Sequence, residues 1–142
     1  MRIRARADMK SLITDGRLNQ GIEPLEEYVV IEINSEYYRV VNDNGEPILY
    51  KKPLFEVIDR RIPAAWEMVE YEDGDYFLNP VGVGGPGFYE AFFFSSGDRA
   101  AFVETHCMLI DALKAMKEAG SQEDRLLLER DLRRLAEKSS AP

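Results

Sequence analysis

Apolar and polar positions alternate cleanly through the first half of the chain. Residues 28–34, YVVIEIN, set Val29, Ile31 and Ile33 two apart, the period of a half-buried strand. RIRARA, from Arg2 onward, alternates Arg2, Arg4 and Arg6 with Ile3 and Ala5, which predicts a short strand with a basic outer face. EYYRVVN, 36–42, and PILYK, 47–51, flank Asn44-Gly45, and that pair predicts a type I′ hairpin. Asn34-Ser35 predicts a tight turn before the first of these runs, and KPLF, 52–55, predicts one 3₁₀ turn before EVID. Residues 8–27 hold Asp15-Gly16, Asn19, Gly21 and Pro24, the make-up of a long turn-rich loop.

Five short strands within 1–59 follow from this pattern. A long loop comes after the first, tight hairpins join the next three, and a 3₁₀ turn precedes the last. That order is the plan of an SH3-like small barrel, whose closure would remove exposed strand edges. Beyond it, 66–79 predicts a second hairpin about Asp73-Gly74, with Trp66, Met68, Val69, Tyr71, Tyr76 and Leu78 covering one mouth of the barrel. Residues 81–96 read as a glycine-rich loop running into an aromatic cluster.

The period then changes to that of a helix. Phe102, Leu109, Ile110, Leu113 and Met116 form one stripe over about 98–118, with Ser95 or Ser96 as the cap and Gly120 suited to the position after the last turn. Ser121 with Asp124 resembles a capping box opening a second helix to about Lys138, with Leu128, Leu132 and Leu135 inward and a frayed SSAP tail. The fold class expected is α+β in three parts: a five-stranded SH3-like barrel over 1–61, an acidic aromatic-rich hairpin and glycine loop over 62–97 packed on it, and a helical hairpin over 98–142. No internal repeat is visible.

The pattern Tyr38-Arg39-Val40, Asn42 to Glu46, Leu49-Tyr50 and Phe55-Glu56-Val57 resembles a widespread group of small bacterial and phage-associated proteins with SH3-like barrels. The likeness extends through EYEDGDYFLNP and PGFYE, so it spans about 1–94. The resemblance implies the barrel and leaves the helical tail outside. The chain lacks the acidic-aromatic entry motif of peptide-binding SH3 domains and has no tryptophan opening the third strand, so proline-rich ligands are not expected.

Charge adds to this picture through its distribution. The 142 residues carry a formal net charge of −8, and residues 62–98 hold Glu67, Glu70, Glu72, Asp73, Asp75, Glu90 and Asp98 with no Lys or Arg. Such a sector repels nucleic acid and attracts basic surfaces. Hydrophobic content of 45% and charged content of 31% are those of a globular protein. No apolar run approaches the ~18 residues of a membrane span, and no apolar stretch backs the basic amino terminus as in a signal peptide. One cysteine excludes an internal disulfide, so the expected setting is the cytoplasm.

Candidate chemistry is sparse. Gly82, Gly84 and Gly87 fit G-x-G-x-x-G, but Pro80 and Pro86 flank and interrupt it and no βαβ unit follows, so it reads as a flexible loop. His106 and Cys107 are adjacent on a helix and diverge by ~100°, which makes a poor catalytic pair and too small a zinc set. His106 reads as a packing residue and Cys107 as a small hydrophobe. Glu72, Asp73 and Asp75 do not match a calcium loop. The expectation is a non-enzyme without cofactor or metal.

Phe88, Tyr89, Phe92, Phe93 and Phe94 are too many rings in one run for all to be buried on a single face. Rings beside carboxylates make a protein-binding patch, and the candidate set is Glu70, Tyr71, Glu72, Asp73, Asp75, Tyr76, Phe88, Tyr89, Glu90 and Phe92. The leading expectation is a module that binds a basic protein, in the style of an immunity or antitoxin-like inhibitor. The alternatives are a nucleic-acid module using Arg2, Arg4 and Arg6, and a phage structural or assembly protein using its helical tail.

Overall fold

The computed structural model describes residues 1–13, 21–94 and 97–140. The architecture is α+β, with a seven-stranded antiparallel sheet followed by helices. The strands are β1 (Arg2–Ala5), β2 (Glu27–Ile33), β3 (Tyr37–Val41), β4 (Pro47–Lys51), β5 (Phe55–Asp59), β6 (Trp66–Glu70) and β7 (Tyr76–Pro80). The helices are α1 (Met9–Leu12), α2 (Phe88–Phe94), α3 (Arg99–Ala119) and α4 (Gln122–Ser140), and a 3₁₀ turn at Lys52–Leu54 joins β4 to β5. Of the loop expected at 8–27, residues 14–20 lie outside the described residues.

The strand order is β4-β3-β2-β1-β5, with β6 and β7 attached through the pairing of Ile33 with Leu78. β4 and β5 are the two ends of that order, so the hydrogen bonds do not close into a barrel. Side chains bridge the gap instead. Phe55 of β5 meets Tyr38 and Tyr50 edge-on at 6.1 and 6.3 Å, within a cluster that also takes Ile3, Tyr28, Val30 and Val40.

β2 departs from the half-buried strand that its alternation predicts. It pairs with β1 through Glu27, Tyr28 and Val29, then with β3 through Val30, Glu32 and Ile33, and its register shifts between Val30 and Glu32. That bulge inserts one residue, so Ile33 joins Tyr28 and Val30 on the inner side. Val29 and Ile31 face a second cluster with Leu109 and Leu113 of α3 and Leu128 and Leu135 of α4. The strand is thus buried on both faces. Burying each leucine contributes roughly 1.5–3 kcal/mol.

The 42–46 hairpin also differs from its expected form. Gly45 alone adopts positive φ, at 75°, while Gly45 N donates to Asn42 O at 3.0 Å and Asn42 N to Glu46 O at 2.9 Å. This is a three-residue loop with a glycine bulge rather than a type I′ turn. The loop packs on α4: a Cβ on Gly45 would lie 2.5 Å from the Arg134 carbonyl oxygen. Arg134 Nη1 reaches Asp43 Oδ1 at 3.3 Å, and Asp43 in turn accepts from the Tyr28 hydroxyl at 3.0 Å. Arg130 Nη2 donates to Glu27 O at 3.0 Å, and Arg2 Nη1 meets Asp124 at 3.2 Å.

Helix ends follow local chemistry. Asp98 caps α3 by accepting from Ala101 N at 3.1 Å. Ser95 and Ser96, the caps expected from sequence, lie outside the described residues. Gly120 has φ −88°, not the left-handed value expected of it, and its need is for space, since a Cβ would sit 2.9 Å from Asp124 Cβ. The capping box forms: Asp124 N donates to Ser121 Oγ at 3.2 Å and Ser121 N to Asp124 Oδ2 at 3.3 Å.

Two outcomes follow for the helix–sheet contact. Gly45→Ala forces positive φ on a residue with a Cβ and drives it into α4, so a loss of at least ~1 kcal/mol is expected from urea midpoints, with faster amide exchange in α4. The second concerns Asp131, which is fully buried on α4 beside Arg130. Burial pushes its carboxyl up to about 7, against the pull of Arg130 and Arg134. The unfolded chain takes that proton only below about 4. Stability from this group is therefore full below that pH and is lost as pH rises through 7, by up to ~4 kcal/mol. Asp131→Asn is expected to abolish most of that decline, read as urea midpoints at pH 5 and pH 8.

Candidate functional site

The β6–β7 hairpin turns at residues 71–75, where Gly74 N donates to Tyr71 O at 3.0 Å and Tyr71 N to Asp75 O at 2.9 Å. Asp73 Oδ1 accepts from Asp75 N at 3.0 Å, the ordinary service of an aspartate in a turn. Asp75 accepts from its neighbour Tyr76 N and from Ser35 Oγ, each at 2.8 Å, and these bonds hold its carboxyl below the usual range. It ties the hairpin tip to the β2–β3 turn. Between them lies an open recess of about 320 Å³ lined by Glu36, Asp73 and Asp75.

Glu70, Glu72 and Glu90 are exposed and have no hydrogen-bond or ion-pair partner among the described residues. Tyr71 lies in the hairpin turn, edge-on to Phe77 at 5.6 Å. Its hydroxyl is pushed up first by partial desolvation, then by the negative field of Glu32, Asp75, Glu90 and Asp73. Carboxylates of the hairpin, β2 and α2 thus all raise this one hydroxyl.

The glycine-rich stretch is a loop as expected, and the aromatic run that follows, given no element from sequence, is a helix. Over Phe88–Phe94, Tyr89 and Phe92 are three apart and share the inner face, where both are buried. These two leave the expected surface set. Phe88 stays half-buried, 4.8 Å from Tyr89, and Phe94 is 79% exposed. On β6 and β7, Trp66, Tyr76 and Leu78 pack against the first cluster, not over the mouth of a closed barrel, while Met68 is 57% exposed. Glu70, Tyr71, Glu72, Asp73, Asp75, Tyr76, Phe88 and Glu90 remain at the surface or half-buried.

Beneath this surface lies a feature that sequence reading missed. Glu32 and Arg39, on paired positions of β2 and β3, form a buried ion pair with Nε 3.1 Å from Oε1. Arg39 Nη1 donates to Pro47 O at 2.8 Å, and its guanidinium lies 3.7 Å over the Tyr89 ring. Gly85 N donates to the second Glu32 oxygen at 2.8 Å. Burial raises the Glu32 carboxyl, and Arg39 and the Gly85 amide oppose that rise. Gly84 has no room for a side chain, because a Cβ would collide with the Glu32 carboxylate and Asn79. The G-x-G-x-x-G spacing thus belongs to a loop sealing a buried carboxylate. The signal available in sequence was a lone Glu32 and a lone Arg39 inside otherwise apolar strands.

The other sequence candidates fall apart from one another. The His106 ring is held between Phe92 and Phe102, each centroid 3.9 Å away, with Nδ1 2.8 Å from Phe102 O, and burial lowers its pKa. Cys107 is exposed rather than packed. Arg2 pairs with Glu27 and Asp124, Arg4 with Glu56 and Arg6 with Asp8. Among the described residues no group of three or more His, Cys, Asp or Glu is placed to hold a metal ion, and no helix is long and apolar enough to cross a membrane. Comparison of the chain with family models, with curated proteins and with solved structures found no match.

Arg39→Met alone strands the Glu32 carboxylate, so a loss of about 3–5 kcal/mol is expected. Glu32→Gln combined with Arg39→Met is expected to lose less than Arg39→Met alone. Urea denaturation of both singles and the double measures this coupling.

Proposed function

We propose that this protein is a non-catalytic module that binds a basic protein, as an immunity or antitoxin-like inhibitor masks a cationic cleft. The observation that carries this reading is that Glu70, Glu72 and Glu90 are exposed and have no ion-pair partner among the described residues, while Glu90, Asp73 and Asp75 bear on the Tyr71 hydroxyl. Unpaired carboxylates steer a cationic partner, and a neighbouring ring offers a face to a Lys or Arg side chain. The recess at Glu36, Asp73 and Asp75 adds a concave acidic seat beside them. A single exposed, unpaired cysteine suits a cytoplasmic setting. The strand order β4-β3-β2-β1-β5 supports an open relative of the SH3-like barrel as the platform. Pairing of Arg2, Arg4 and Arg6 with carboxylates weighs against phosphate binding by that strand.

A labelled Lys/Arg-rich peptide titrated by fluorescence anisotropy tests the reading. Binding is expected to weaken at least tenfold between about 50 and 500 mM salt. It is also expected to weaken in Glu72→Lys/Glu90→Lys, but not in Glu23→Lys/Glu123→Lys, which changes net charge equally on other faces. Salt-indifferent binding, or equal loss in both variants, would rule out a localised acidic docking site.

A further inference from the structure

The geometry points to a second binding surface: the trough along the carboxyl-terminal half of α3 is a seat for a basic amphipathic helix of a partner protein. It goes beyond the acidic hairpin, which lies at the other end of β6 and β7. Two contiguous cavities of about 470 and 440 Å³ share Pro63, Ala65, Met116 and Ala119. Together they run from Met108 to the α3–α4 turn at Gly120, a rise of ~18 Å or a little over three helical turns. The far wall is the 62–66 segment and the glycine loop, where Val81 is 67% and Ile62 39% exposed. Ala112, Ala115 and Ala119 form the α3 side, and such short side chains let a second helix axis approach to ~8 Å.

Charge selects the occupant. Glu104, Asp111 and Glu118 follow one another at heptad spacing on α3, and Asp111 lines the trough directly. They form one row on average ~40° around the helix from Ala115, an acidic lip on an apolar seat. All three are exposed, and none has an ion-pair partner among the described residues. Lysines at heptad spacing on an incoming helix would meet this row, as flanking charges do in a coiled coil. At the turn end, Arg61 already pairs with Asp59, so it adds little repulsion.

Trp66, the single tryptophan, lines the trough and reports on it directly. The probe is an 18-residue tryptophan-free helix with leucines at the core heptad positions and lysines beside them. Trp66 emission is expected to shift and saturate at one equivalent of peptide. Affinity is expected to fall at least tenfold in Asp111→Lys/Glu118→Lys. It is expected to fall likewise in Ala115→Gln, which fills the seat at an exposed position without changing charge. Glu72→Lys/Glu90→Lys is expected to leave it unchanged, which separates this surface from the hairpin. An unresponsive Trp66, equal binding of a glutamate counterpart, or loss only in the hairpin variant would overturn the proposal. So would a dimer in light scattering that Ala115→Gln disperses, because the trough would then belong to a second copy of the chain.

Discussion

Burial of β2 on both faces is the constraint on which the remaining structure depends. Its inner side chains, Tyr28, Val30 and Ile33, fill the curled sheet, while Val29 and Ile31 face the helices. A strand with water on neither side needs cover on both, and the helices supply the outer cover. The bulge after Val30 divides the strand between these duties and turns Glu32 toward Arg39 and the glycine loop. The hairpin at Gly45 then fixes how α4 approaches, because it brings Asp43 and Glu46 to Arg134 and Lys138.

Charges are sorted by this packing. Arginines of β1 and α4 meet carboxylates at the helix–sheet seam, where Arg2 bridges Glu27 and Asp124 and Arg130 reaches the backbone of Glu27. The hairpin beyond β5 has no Lys or Arg of its own, so Glu70 and Glu72 stay without an ion-pair partner among the described residues. Unpaired negative charge therefore collects at Glu70, Glu72 and Glu90, and a second unpaired row lies along α3. Both rows border apolar or aromatic surface, the combination that favours a cationic amphipathic partner over a nucleic acid.

Much of the scaffold was legible in the chain. Alternation placed the strands within a residue or two, and the heptad-like stripes of Leu109, Leu113, Leu128 and Leu135 placed α3 and α4. Ser121 and Asp124 gave the boundary between them through a bond each makes locally. The aromatic run at 88–94 was opaque for a physical reason: it is only two turns long and apolar nearly all round, so helix and loop look alike. Of the candidate surface, the carboxylates were legible from composition, since an exposed glutamate needs no partner to be placed. Tyr89 and Phe92 were not, because their burial depends on Arg39 and α3 arriving from distant parts of the chain.

The sequence by itself determined where the strands and the two long helices begin, and that the middle of the chain carries uncompensated negative charge. These are local properties, set by side-chain period, turn chemistry and residue counts. Tertiary structure alone decided that the strand order stays open, that Glu32 and Arg39 pair in the interior, and that a trough runs beside the alanines of α3. Each depends on contacts between residues far apart in the chain. Neither the bulge in β2 nor the approach of α4 to Gly45 is written in any short window, because both are settled by how the two clusters pack at once.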